Sequence, residues 1–258
     1  MRFSILLIAI LLTACHQSQK DESKTTESAQ KLPFLTLKNE QAKYALPFCE
    51  KKECIDIDIQ TINTQDTWLN SWIEKQQSKV IQAQIELKQN LTLQQAVDAY
   101  IKKSDTWQQE FSQNHAYQLH LNTRIASQRH QYVLLQLSTN TKQAEVDIQD
   151  RQYFAVADRL KQKSLTILDV ILPQKQHVLD AMIQAHYQKW IKQQTALVQE
   201  KVPKKLYWGQ ADWFFDSEGI GLHYRSNEIV DGGQQLDIYL DVEQTKQVLQ
   251  PEVLHEII

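Results

Sequence analysis

The spacing of apolar residues changes period several times along this chain, and the order of those changes limits the folds open to it. Ile55, Ile57 and Ile59 alternate with Asp56, Asp58 and Gln60, the period of two that marks a half-buried strand. From Asp66 to Leu87 the period becomes helical, with Leu69, Trp72, Ile73, Gln76 and Val80 on one stripe behind an N-cap at Asp66 or Thr67. Thr92-Leu93-Gln94-Gln95 fits a capping box and opens a second helix, with Leu93, Ala96, Val97, Tyr100, Ile101, Trp107 and Phe111 at core spacing. Tyr117, Leu119, Leu121 and Ile125 line one side of a strand. After the polar break Ser127-Gln128-Arg129, the run from Gln131 to Leu137 is expected to complete an antiparallel hairpin. Tyr153 to Ala157 adds a strand, and a long helix from about Lys175 to Glu200 carries Leu179, Met182, Ile183, His186, Trp190 and Leu197. The last third is strand-rich: Asp212 to Phe215, the turn Asp216-Ser217-Glu218-Gly219, then alternating runs at Ile220 to Tyr224 and Leu236 to Leu240. A final amphipathic segment, Glu243 to Leu249, ends at Pro251. No βαβ rhythm runs through this order, which argues against a doubly wound parallel sheet. The expected fold class is α+β, with antiparallel sheets packed by a few amphipathic helices.

Composition narrows the function. The chain has 258 residues, 42% of them hydrophobic, so a real core is within reach. Only five Gly and five Pro occur, which argues against loop-dominated chains and glycine-loop nucleotide sites. The formal charge of −3 gives no electrostatic case for a nucleic-acid partner. Gln accounts for 37 residues, so much of the polar surface is expected to be uncharged.

The first fifteen residues supply an address. Arg2 precedes an apolar run, Phe3 to Leu12, broken only by Ser4. That run is too short for a spanning helix, which needs about 20 residues, and suits the apolar region of a secretory signal. Leu12-Thr13-Ala14-Cys15 follows and resembles the bacterial lipobox, which implies cleavage after residue 14 and lipidation of Cys15. His16, where an Asp would favour retention at the inner membrane, points to the outer membrane, facing the periplasm. His16 to Lys31 holds no large apolar residue and reads as a flexible tether with a reach of about 20–24 Å. Segments 1–14, 15–32, 33–160 and 161–258 are thus read as signal peptide, tether, and the N- and C-terminal parts of the folded module.

Cys49 and Cys54 close the short loop C-E-K-K-E-C. In an oxidising compartment two such neighbours read as a disulfide. A metal pair is the alternative, but the spacing is not CxxC and no second Cys or His cluster lies close in sequence. No GxSxG, HExxH, GxGxxG or P-loop occurs. Asp56 and Asp58 fit an acid/base or metal pair, or a solvated strand face, which is favoured. His120 shares a polar face with neighbours that a sheet could set beside Asp56, while His186 lies on an apolar stripe as a core histidine would. No catalytic residue, metal site or cofactor is assigned.

Two stretches carry a family resemblance. KSLTILDVILPQ, Lys163 to Gln174, resembles the opening of the RsiV-type domain, and WFFDSEGIGLHYRSNEIVDGGQQLDIYLDVEQTKQVLQPE, Trp213 to Glu252, resembles its ending. Cys54 to Ile81 and the hairpin after Tyr117 resemble the region that usually precedes it, so the likeness covers roughly Pro47 to Glu252. RsiV is an extracytoplasmic anti-sigma factor whose outer domain is a lysozyme receptor, and the same module occurs attached to a peptidoglycan deacetylase. The resemblance implies an α+β fold and a binding module rather than a catalyst. The chain departs from the family at Val230-Asp231-Gly232-Gly233, where Pro and Tyr are common.

The expected function is a lipid-anchored, non-catalytic periplasmic module that binds an envelope protein or peptidoglycan, its membrane partner reached through the N-terminal lipid. The alternatives are a lysozyme-binding or lysozyme-inhibiting lipoprotein, and an envelope hydrolase. The candidate contact is the loop holding Arg225, Asn227, Glu228, Val230, Asp231, Gly232 and Gly233, because glycines permit irregular exposed backbone on a rigid hairpin.

Overall fold

Nine strands form among the residues that the computed structural model describes, 32–50, 53–111, 113–209, 211–225, 228–230 and 235–258. The lipobox, most of the tether, and loop residues Asn227, Asp231, Gly232 and Gly233 lie outside the described residues. In chain order the elements are β1 (Lys38–Gln41), β2 (Asp56–Asn63), α1 (Thr67–Ala83), α2 (Leu93–Glu110), β3 (Gln118–Arg129), β4 (Tyr132–Gln143), β5 (Val146–Asp158) and β6 (Lys163–Leu165). There follow α3 (Ile167–Val170), a 3₁₀ turn (Pro173–Lys175), α4 (Gln176–Gln193), α5 (Ala196–Lys201), β7 (Asp212–Phe215), β8 (Gly219–Tyr224), β9 (Leu236–Asp241), α6 (Val242–Val248) and α7 (Pro251–Ile257). The class is α+β. Among the described residues, no helix is long and apolar enough to cross a membrane.

β1 to β6 form one sheet in sequential order, and β7 to β9 form a second. All pairings are antiparallel but one: β2 and β3 run parallel, Asp58 opposite His120, because α1 and α2 form the crossover between them. Asp66 caps α1, accepting the Leu69 N–H at 3.0 Å, and Thr92 and Gln95 make the reciprocal capping box of α2. The Cys49–Cys54 disulfide closes just before β2.

β4 explains how the two halves meet. Its Val133, Leu135 and Leu137 pack with α1 and α2, while Tyr132 and Leu134 point the other way, into the core built on β7 to β9, α4, α6 and α7. A strand buried on both faces reads as a continuous apolar run, here YVLLQL, rather than as alternation. The second sheet is close-packed: a Cβ at Gly221 would overlap the Phe214 ring, and one at Gly219 the Leu240 carbonyl.

Several local expectations need correction. The polar run Ser127 to Arg129 is not an end: β3 bulges between Ile125 and Ser127 and then continues through it, Ser127 pairing Leu134 and Arg129 pairing Tyr132. The turn comes at His130, whose φ is +48°; Ala144 turns the next hairpin at +49°. A chain so poor in glycine puts other residues in the left-handed region, so the usual turn signal is missing. The helix expected to reach Glu200 stops at Gln193, because residues 202–208 fold back over α4: Tyr187 donates to the Pro203 carbonyl at 2.9 Å, and Gln184 bonds both N–H and C=O of Leu206. Tyr187 is the fully buried residue there; neighbouring His186 is half-buried, and Leu197 and Phe111 are exposed. Pro251 does not end the chain's last helical segment but opens α7, where its missing N–H costs nothing.

Candidate functional site

Part of the candidate loop stands at the edge of a wide cleft. This cleft, about 970 Å³, lies between the second half of α1 with residues 86–90 on one side and β5 with Arg225 and Glu228 on the other. An inner compartment of about 290 Å³ shares Lys79, Ala83, Tyr153 and Arg225 with it, and adds Gln76, Val80, Leu137 and Asp212. The two adjoin across those four shared residues.

The α1 wall is set by helical spacing. Lys75, Lys79 and Ala83 are four residues apart and share a face, while Leu69, Trp72, Ile73 and Val80 are buried on the core face. The helix closes with Glu86 in the left-handed region at φ +57° and the Leu87 N–H donating to the Gln82 carbonyl at 2.9 Å, the arrangement that usually takes glycine. Gln82 Oε1 then accepts the Gln89 N–H at 2.9 Å. These bonds hold Lys88, Gln89 and Asn90 against the cleft.

The opposite wall is an arginine fixed on three sides. Arg225, just after β8, donates Nη1 to Asp212 Oδ2 at 2.7 Å and Nη2 to Glu228 Oε1 at 2.8 Å. Its backbone N–H donates to Glu228 Oε2 at 2.7 Å, so Glu228 closes the turn. Its guanidinium lies 4.9 Å above the centre of the buried Tyr153 ring, and the Tyr153 hydroxyl accepts from Gln84 Nε2 at 2.8 Å. Asp212 also accepts the Phe154 N–H at 3.0 Å. Burial pushes the Asp212 carboxyl up, with the Arg225 charge and the Phe154 N–H pulling against it.

Three lysines, two arginines and two glutamates line the outer cleft. Among the described residues, Lys75, Lys79 and Lys88 have no carboxylate at ion-pair distance. Burial holds the Lys79 ammonium below the usual lysine range, and Lys75 adds to the effect. The recess is therefore a cationic, partly aliphatic surface with amide donors.

Of the residues singled out in sequence, Arg225 and Glu228 line this cleft and Val230 lies half-buried nearby in the chain. Asp56 and His120 do come together, Oδ2 to Nε2 at 2.9 Å, but on an open sheet face with both side chains about half exposed. Asp58 is occupied by the Gln41 and Gln60 amides at 2.8 and 3.0 Å. Among the described residues no hydroxyl or thiol bonds the imidazoles of His115, His120 or His223, and no group of three His, Cys, Asp or Glu residues could hold a metal. Sequence reasoning missed Lys75, Lys79, Gln76, Tyr153 and Asp212. The one signal available was the pair of like charges at Lys75 and Lys79, four apart with no acid partnering them.

The architecture is that of known bacterial structures. A DUF3298 family protein from Pseudomonas aeruginosa PAO1 aligns with a TM-score of 0.64 at 14% identity, over 86% of this chain and 97% of its own. A member of the DUF3298 family from Bacteroides fragilis NCTC 9343 aligns at 0.60 and 12% identity, over 88% of this chain and 98% of its own. At these identities the likeness is one of fold. No family model and no curated protein matches the sequence.

Proposed function

We propose that this chain is a lipid-anchored, non-catalytic binding module of the bacterial envelope, held at the outer membrane by Cys15 and engaging a periplasmic ligand in the cleft between α1 and Arg225. The lipobox pattern, the coreless tether and the Cys49–Cys54 disulfide support the location. The RsiV-type resemblance supports binding over catalysis, and DUF3298 folds are related to the RsiV-like one. The observation that carries the reading is the preset Arg225–Glu228 turn, which faces three lysines across an open recess while the His–carboxylate pairs His115–Glu53 and His120–Asp56 lie on exposed surface.

Two measurements test it. Radiolabelled fatty acid should enter the wild-type chain and not Cys15→Ser, and only the wild type should fractionate with outer membranes. Purified sacculi and envelope extracts should retain the wild type and release an Arg225→Ala, Lys79→Ala double variant. Equal retention of both proteins would remove the cleft from the reading; turnover of wall glycan by the purified chain would overturn the non-catalytic assignment.

A further inference from the structure

The geometry points to an acidic peptide as the ligand of this cleft, one that sets at least two carboxylates along an extended, aliphatic backbone. The inference rests on the binding-module reading and names its ligand class.

Lys75 and Lys79 present two ammonium groups one helical turn apart, their Cβ atoms about 6 Å from each other. An extended peptide rises about 3.3–3.6 Å per residue, so carboxylates two residues apart match that spacing. Like charges at this spacing repel within the helix, and a carboxylate between them turns the repulsion into attraction. Lys88 supplies a third cation from the α1–α2 loop. The Glu86 and Glu228 carboxylates on the same walls oppose a dense polyanion.

The second observation is Gln76. It is 7% exposed and lines the inner compartment. Its Oε1 accepts from Lys79 Nζ at 3.5 Å, whereas its Nε2 has no acceptor. A buried donor without a partner is costly, and a peptide carbonyl entering the compartment supplies one once the Gln76 amide rotates toward it. Val80, Ala83, Leu137 and Ala155 offer aliphatic contact there.

The other chemistries fit less well. A sugar ring needs an open aromatic face, but Arg225 covers Tyr153, and Phe154 packs between Phe214 and His223 at 5.1 and 5.0 Å. A phosphate is best held by a guanidinium fork, and of the two arginines on the cleft, Arg225 has its fork already occupied by Asp212 and Glu228.

Titration calorimetry on the full chain in detergent tests the proposal. The probes are a synthetic aliphatic tetrapeptide with three free carboxylates, the same peptide with those carboxylates amidated, a wall disaccharide without peptide, and inorganic pyrophosphate. The acidic peptide should bind saturably, and the amidated peptide and the disaccharide should not. Lys75→Gln with Lys79→Gln should weaken binding at least about tenfold, Gln76→Leu by a smaller factor, and Lys75→Arg with Lys79→Arg should keep it. Equal affinity for the amidated peptide, tighter binding of pyrophosphate, or an unchanged Lys→Gln double variant would each overturn the inference. If no peptide binds while sacculi or envelope extracts still retain the wild type, the ligand class is wrong and the module reading stands.

Discussion

Arg159 and Arg225 use the same chemistry for opposite ends. Arg159 donates Nε to Asp66 Oδ2 at 2.9 Å and Nη1 to the Pro33 carbonyl at 3.1 Å, with its side chain only 2% exposed. It ties the first described residues and the N-cap of α1 to the end of β5, and its fork is closed off from solvent. Arg225 also bridges two partners, Asp212 and Glu228, but its side chain is 20% exposed and borders the cleft. An arginine–aspartate pair alone does not distinguish a structural clamp from a wall of a binding site. What separates them is whether open volume and further unpaired cations lie beyond the guanidinium.

The comparison can be broken by paired substitutions. Arg159→Met leaves Asp66 charged and without its partner, and is expected to cost about 3–5 kcal/mol, read from the urea midpoint. Arg225→Met should cost less, about 1–3 kcal/mol, because Glu228 can turn to water and Asp212, whose carboxyl burial already pushes up, can take a proton, and it should disturb ligand binding where Arg159→Met does not. Equal losses of stability would mean that both arginines are clamps. Thr92→Ala removes the cap of α2 and should cost about 1 kcal/mol with no effect on binding, a control for mild destabilisation in the same half.

The turns offer a test of opposite sign. Ala144 holds a left-handed φ of +49°, and Ala144→Gly should raise stability by about 1 kcal/mol in the same urea assay. The smallest effect is pH-dependent. Its hydrogen bond to Lys205, at 2.9 Å, and further bonds from Gln184 and Trp208 hold the Asp180 carboxyl below its usual range. A lowered folded-state value stabilises the fold above the unfolded value of about 3.9 and is lost as pH falls through the lower folded one. Lys205→Met should thus cost at most about 1 kcal/mol at neutral pH, with the gap to wild type closing in acid.

The legible parts of the fold are those with one buried face. The capping box at Thr92, the cap at Asp66, the β2 alternation and the β7–β8 turn all stand where the local pattern puts them. β4 and β5 run longer than their apolar centres because the end of β4 is built from Ser, Thr, Asn, Lys and Gln and the start of β5 largely from Asp, Gln and Arg, residues that read as polar breaks. Four glutamines, Gln76, Gln77, Gln82 and Gln84, lie in the interior rather than on the surface. Gln77 bonds Thr123 at 2.9 Å in the interior, and Gln84 joins α1 to β5 through Tyr153. Such bonds span 46 and 69 residues of sequence and leave no local trace. The cleft was half legible for the same reason: Arg225 and Glu228 belong to a visible turn, whereas Lys75, Gln76 and Lys79 join them only through the packing of α1 on the first sheet.

The outer rim of β5 has a consequence for how this protein comes into being. Among the described residues no strand continues the ladder there beyond β6: the Gln152 N–H donates to Gln235 Oε1 at 3.0 Å, the Gln152 carbonyl faces His223 Nε2 at 3.1 Å, and the Phe154 N–H reaches Asp212. His223, buried and anchored on Asp237 at 2.6 Å, holds this seal in place. All three caps belong to a later stretch of chain, which arrives last where the protein folds when the chain is exported N-terminus first. Until it arrives, the nascent first sheet presents an open template to any neighbouring strand. A truncation before Asp212 should therefore aggregate rather than persist as a soluble half, and the C-terminal segment acts on its own N-terminal half much as a built-in chaperone would.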